Sequence, residues 1–338
     1  MKATVYEGNK SFSVIEKEIE NPQAGEVRIK VAYSGVCGTD VHIYHGMMDK
    51  RVSMPITIGH EMSGTIDAIA DDVSGFEIGE KVVVRPLDDR GVKASDKGFN
   101  HICEDLKFIG IDSPGSMQQY WNVPAFTLHK LKAETDLKLA ALIEPLSVAV
   151  HDVRLSELKA SETAVVLGGG PIGLLVAMVA KETGANVIVS EVNENRIAKA
   201  KELGLNAVNP TKIDLVAYVK EQTKGRRADV VFEVAGVQPT LDVMTEVSGI
   251  RGRILMVAIH GQKKEIDLFK FFWKELKLIG ARVYEKEDYE RAIDLITKNE
   301  LPFEDMITDV QPLSKIQQVF ENIDNNPDGM KVLMDCQS

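Results

Sequence analysis

Cysteine is scarce in this chain: Cys37, Cys103 and Cys336 are the only three in 338 residues, an odd number scattered from one end to the other. That excludes a disulfide framework and leaves each thiol to be judged by its neighbours. Basic residues are outnumbered, 40 Lys and Arg against 51 Asp and Glu, for a formal charge of -11. A phosphate-backbone binder needs a basic face to release counterions, so nucleic acid is excluded as a partner. No apolar run reaches the ~18 residues of a membrane span. Residues 1–10 carry no apolar core of signal-peptide length either. A soluble, cytoplasmic protein with no membrane partner is expected. Internal repeats and low-complexity tracts are missing as well, so neither a repeat array nor extended disorder is expected.

What is present is enough chain for two domains, since one core stops growing well before this length. Up to about Lys130 the pattern is short β-type runs broken by Gly and Pro, at 26–34, 61–69 and 81–85, which predicts a largely β domain. From residue 139 the texture turns helical, through 139–153, and then alternates. The pattern predicts strands at 163–167, 186–190, 229–233, 253–257 and 276–279, with helices at 172–183 and 194–203. Alternation of that kind implies a parallel sheet covered on both faces. Beyond residue 284, an amphipathic helix at 289–298, a second at 314–325 and a β run at 331–335 suggest a return to the first domain. The expected division is 1–150 with 286–338 for one domain and 151–285 for the other.

Gly168, Gly170 and Gly173 form GxGxxG directly after a predicted strand and at the head of an apolar helix. The first glycine permits a tight turn, the second lets backbone approach a pyrophosphate, and the third lets helix pack on strand. The helix N-terminus supplies the N–H groups. A dinucleotide site is expected here, with Pro171 and Ile172 in the turn and Ala258 and Ile259 as further cofactor-binding candidates. Glu191 ends the next strand, where a carboxylate accepts from ribose hydroxyls and repels a 2′-phosphate, favouring NAD over NADP. Arg196 could serve a phosphate or pack on adenine.

The first domain carries a different set of groups. Cys37 lies in Gly35-Val-Cys-Gly-Thr-Asp-Val-His42, His60 and Glu61 lie between Gly59 and Gly64, and Glu144 interrupts an apolar stretch. Singly, each has a bland explanation: a small buried thiol, a satisfied histidine, a solvated or helix-start carboxylate. Together, thiolate, imidazole and carboxylate suit a zinc ion that keeps one position open, and their co-occurrence with a dinucleotide fold points to catalysis.

These residues carry a resemblance that spans the chain. The motifs GVCGTDVH at 35–42, GHEMSG at 59–64, ALIEPL at 141–146 and GGGPIG at 168–173 resemble those of the zinc-containing medium-chain alcohol dehydrogenases, within them the sorbitol, threonine and sugar-acid dehydrogenase branch. The resemblance implies a discontinuous GroES-like catalytic domain, a doubly wound Rossmann domain, and an active site in the cleft between them. It assigns Cys37 and His60 as zinc ligands, with Glu61 and Glu144 exchanging the ligand role. Thr39 and His42 match positions that pass the alcohol proton outward. The implied reaction is oxidation of a secondary alcohol on a polyol or sugar acid, with hydride passing to NAD. The implied assembly is a homo-tetramer or homo-dimer. L-threonine oxidation and a zinc-free NADPH quinone or enoyl reductase are the alternatives.

Two departures qualify the match. The family's structural zinc lobe carries four closely spaced cysteines after the strand at 81–84, whereas this chain has Cys103 alone, so one catalytic zinc per chain and no structural zinc is expected. Sorbitol dehydrogenases resembling this chain place Arg before the tyrosine at 284; here Val283 stands there. Sorbitol is thereby put in doubt. The basic residues Arg51, Arg85, Arg90, Lys93 and Lys97 could meet an acid group if they face the site, or could simply be a solvated surface.

Overall fold

The computed structural model describes residues 1–91, 93–326 and 328–338. The chain divides into two compact units, Met1–Glu144 with Glu285–Ser338, and Pro145–Tyr284. No helix among the described residues is long and apolar enough to cross a membrane.

The first unit is built on a seven-stranded sheet. Its path runs Ile307–Pro312, Lys331–Asp335, Glu26–Gly35, Glu61–Ile69, Lys81–Val84 and Leu128–Lys130, and Tyr120–Pro124 also pairs with Glu26–Gly35. All pairs are antiparallel except the first. In Glu26–Gly35 the alternation Val27, Ile29, Val31 is fully buried while Lys30 faces water, as a period of two requires when one face packs on a core. That core also takes Tyr6, Val82, Trp121 and, from the helix Ile316–Asn325, Val319 and Phe320. Helix Lys286–Lys298 buries Tyr289, Ala292, Leu295 and Ile296, spaced three and four apart along one stripe.

The second unit is a six-stranded parallel sheet in the order Asn206–Val208, Asn186–Ser190, Thr163–Leu167, Ala228–Glu233, Ser248–Met256, Lys277–Gly280. Thr163–Leu167 is buried at every residue, which is why its sequence runs apolar from Ala164 onward rather than alternating. The strand order reverses at Thr163–Leu167: the next two strands lie to one side, the following three to the other. Ligands of open α/β sheets bind outside the carboxyl ends of strands at such a reversal.

The single helix predicted at 139–153 is two, Leu137–Ala140 and Ile143–Leu155. Pro145 explains the break, because it has no N–H for the carbonyl one turn back and is tolerated only in the first turn of a helix. Strand Asn206–Val208 and the helices Leu215–Gln222 and Gln238–Val247 lie in segments where no element was expected.

Candidate active site

Cys37 follows directly on strand Glu26–Gly35 and Val36, and caps the helix Gly38–Tyr44. Its Sγ accepts from the Thr39 N–H at 3.5 Å, while the Asp40 carboxylate accepts from the Cys37 N–H at 2.9 Å. This reciprocal box fixes the thiol at the helix start. Strand Glu61–Ile69 pairs with Glu26–Gly35 so that Glu61 stands opposite Gly35. A Cβ at residue 35 would overlap the Glu61 carboxylate, so glycine is what admits the pair. Ligand atoms of Cys37, His60 and Glu61 consequently lie within 4.8 Å of one another.

Around them charge is arranged in a second layer. His60 Nδ1 is 3.6 Å from Asp40 Oδ1, both side chains are buried, and neither atom has a hydrogen-bond partner. Burial lowers the pKa of His60, yet the charges of Asp40, Cys37 and Glu144 outweigh it and hold the value well above the ordinary one. Asp40 itself is raised, by burial first, against the opposing pull of His60. Acidic side chains thus converge with His60 on one point, and cysteine, histidine and glutamate there are zinc ligands by type. The donor set fits that ion, and Asp40 faces the imidazole Nδ1 at ion-pair distance.

Sequence reasoning missed Lys331. It lies on the strand Lys331–Asp335, is 4% exposed, and donates from Nζ to the Glu61 carboxylate and to Val36 O, the latter at 3.0 Å. Burial lowers its affinity for a proton, but Glu61, Cys37 and Glu144 outweigh burial and raise its pKa. Nothing local signals it, since 270 residues separate the pair in sequence. Asp40 was nearer to hand, three residues after Cys37 in capping-box spacing.

The other candidates are distributed as follows. Glu144 is buried at the start of helix Ile143–Leu155, and its charge is felt at His60, Lys331 and Tyr289, but it is not part of the tight group of Cys37, His60 and Glu61. Thr39 and His42 are half-buried, one turn apart on the same face of helix Gly38–Tyr44.

In the second unit, Gly168 sits at φ +115, a conformation that L side chains rarely adopt, and Gly170 caps helix Pro171–Glu182, with Pro171 at its first position and Ile172 next. A Cβ on Gly173 would run into Gly168 O. Glu191 is buried: its carboxylate accepts from Gly169 N at 2.7 Å, Val192 N at 2.7 Å and Asn193 N at 2.9 Å, with Arg196 Nη1 at 3.9 Å. A carboxylate offers about four acceptor sites, so one is left for a ligand hydroxyl. Ala258 follows strand Ser248–Met256, its N–H bound to Glu233 O at 3.0 Å, while Ile259 is largely exposed. Next to them is a pair that sequence reasoning missed, His260 Nε2 at 3.3 Å from the buried Glu233 Oε2.

The lobe after strand Lys81–Val84 is held by side chains. Lys93 pairs with Asp105 at 3.0 Å and Glu104 at 3.5 Å, Arg90 pairs with Asp88 at 2.6 Å, and the Arg90 guanidinium lies 4.4 Å from the Phe126 ring centre. Cys103 is buried, and among the described residues it joins no group of potential metal ligands.

Two family models match the chain: the alcohol dehydrogenase GroES-like domain over residues 23–133 and the zinc-binding dehydrogenase domain over residues 171–298. The chain is 58% identical over 337 residues to the 2-dehydro-3-deoxy-L-galactonate 5-dehydrogenase of Pseudoalteromonas atlantica, covering 99% of each. This chain belongs to the zinc-containing medium-chain alcohol dehydrogenase family. It is an oxidoreductase of small polar alcohols, with zinc and a nicotinamide nucleotide as the cofactors of its family. Solved members of like fold have been seen with either nucleotide. A zinc-binding dehydrogenase of Sinorhizobium meliloti 1021 bound to NADP superposes at TM-score 0.92 with 29% identity, covering 98% of both chains. An alcohol dehydrogenase of Escherichia coli CFT073 in complex with NADH gives 0.91 and 29%, covering 99% of both.

Proposed function

We propose that this chain is a zinc-dependent, NAD-linked dehydrogenase that oxidises a secondary alcohol of a sugar acid or a related polyol to the ketone. The observation that carries it is the convergence of Cys37, His60 and Glu61 within 4.8 Å, in a chain 58% identical to a named sugar-acid dehydrogenase. Cys37 and His60 hold the metal, and either Glu61 or Glu144 supplies the carboxylate. Zinc bound there supplies a Lewis acid that polarises the substrate hydroxyl. Asp40 faces the imidazole as a counter-charge, and Lys331 holds the Glu61 carboxylate in place. Thr39 and His42, on one helix face, carry the alcohol proton outward. The Gly168–Gly173 turn, with Ala258 and Ile259, cradles the dinucleotide; Arg196 lies over the turn and Glu191 disfavours a 2′-phosphate, which supports NAD rather than NADP. The lone Cys103 in the lobe supports one zinc per chain.

A homo-oligomer goes with this reading. Helix Leu268–Lys274 exposes Leu268, Phe269, Phe272 and Trp273 beside the edge strand Lys277–Gly280, and such a patch on an open sheet edge is a surface for self-association. Phe272→Asp with Trp273→Ser should reduce the assembly seen by light scattering; an unchanged mass would refute this surface.

Metal analysis of protein purified without added zinc, coupled to NAD reduction across sugar acids, polyols and threonine, tests the main reading. About one zinc per chain and turnover of a sugar acid or polyol are expected, with both lost in Cys37→Ser. Activity that survives in the metal-free variant would overturn it.

A further inference from the structure

Of the five basic residues that the sequence gathers in or near the lobe, four are spoken for or solvated. Arg51 forks onto Asp112 at 2.8 and 2.6 Å, Arg90 onto Asp88 at 2.7 and 2.6 Å, Lys93 meets Asp105, and Lys97 is exposed. Arg85 differs in kind. It is 6% exposed, and among the described residues its one side-chain hydrogen bond is Nη1 to Asp89 at 3.1 Å while its Nε–H is buried with no acceptor. A guanidinium taken out of water with a donor unused is costly unless something supplies the missing acceptor.

Its position says what that something is near. Strand Lys81–Val84 runs antiparallel to Glu61–Ile69 with Ser63 opposite Val83 and Thr65 opposite Lys81. Continued by two residues, that register sets Arg85 across from Glu61, and directly opposed residues point to the same face of a sheet. The Arg85 N–H is tied to Thr127 O at 2.8 Å, so the backbone is anchored at this point. Arg85 therefore stands at the sheet end that carries His60 and Glu61. The neighbouring titratable groups do not consume it. Burial, with the charges of Arg85 and Lys286, pushes His129 down to about 4, so that imidazole is neutral. Tyr289 donates its hydroxyl to Val84 O at 2.7 Å.

We propose that Arg85 is a specificity-determining residue that receives the carboxylate of a hydroxy-acid substrate whose reacting hydroxyl sits at the Cys37–His60–Glu61 group. The planar fork matches a carboxylate, with the unused Nε–H as the donor that awaits it. A neutral polyol leaves that donor unpaired and is discriminated against for that reason. This deepens the reading given above and rests on it.

The test compares kinetics of the zinc-loaded enzyme on 2-dehydro-3-deoxy-L-galactonate and on uncharged 2,3-butanediol, for wild type, Arg85→Met and Arg85→Lys. A lost hydrogen bond to a charged group predicts a KM for the acid raised about 10- to 100-fold in Arg85→Met, with kcat nearly kept, partial recovery in Arg85→Lys, and an unchanged KM for the diol. An unchanged KM for the acid, or equal losses on both substrates, overturns the assignment. NADH binding by fluorescence verifies that each variant is folded. An arm that needs no variant compares galactonate with galactitol as inhibitors of the wild type: at least tenfold tighter inhibition by the acid is expected, and equal inhibition overturns the assignment. Wild type that turns over no sugar acid or polyol refutes the function proposed above. Turnover of the acid with Arg85→Met behaving as wild type refutes only the role of Arg85.

Discussion

The group around Cys37 and the lobe after strand Lys81–Val84 belong to the same unit and are both rich in charge, but they use it in opposite ways. Around Cys37, the charges of His60, Asp40, Glu61 and Lys331 are all but sealed from water, and each depends on a particular neighbour. In the lobe, Arg90 and Lys93 pair with Asp88, Asp105 and Glu104 in contact with solvent. Buried pairs are expensive to break because one survivor is left uncompensated; solvated pairs exchange for water at little net cost. A solvated pair in the lobe can therefore be lost at little cost, whereas the buried group could not lose one partner without consequence.

The comparison is broken most directly at Lys331. Lys331→Met leaves the Glu61 carboxylate buried and unpaired, and should lower the unfolding free energy in urea by about 3–5 kcal/mol. Adding Glu61→Leu should restore most of that loss. A single variant within 1 kcal/mol of wild type would mean that the pair is not sealed as described.

A smaller effect lies at His129, beside the root of the lobe. Burial first, then the charges of Arg85 and Lys286, depresses its imidazole to about 4. The unfolded chain takes up this proton from about pH 6.5, the folded one only near pH 4. Stability from this group is therefore complete above about pH 6.5 and lost as pH falls toward 4, by an amount on the order of 3 kcal/mol. His129→Phe should flatten urea midpoints across that window; a slope identical to wild type would assign the acid sensitivity to other groups.

The smallest effect is expected in the lobe itself. Lys93→Ala should leave the urea midpoint at its wild-type value, and 1 M salt should change proteolysis of the lobe little, because its pairs are already screened. A midpoint lowered as far as in Lys331→Met would place the lobe in the same class as the buried group and erase the distinction.

Much of this architecture was legible in the chain. The strand at 61–69, the strands at 163–167 and 186–190, and the glycine turn at 168–173 all rest on local patterns: alternation, a continuous apolar run, and glycines where a Cβ cannot fit. The helix predicted at 139–153 was misjudged because apolar periodicity continues through Pro145 although the backbone hydrogen bonds do not. Asn206–Val208 went unseen because three residues carry no usable period; neighbouring strand Asn186–Ser190 makes it a strand.

For the site, the sequence by itself determined the chemical inventory: a thiol, an imidazole, carboxylates and a glycine-rich turn at a helix start, each set within a short motif. Only the tertiary structure decided which charges face each other. Lys331 reaches Glu61 because strand Lys331–Asp335 pairs with Glu26–Gly35, which in turn pairs with Glu61–Ile69. Arg85 is buried while Arg90 is solvated, though they are five residues apart and alike in sequence context. Charge is a long-range quantity whose strength depends on the water around it, and burial is a property of the folded sheet rather than of any local run of residues.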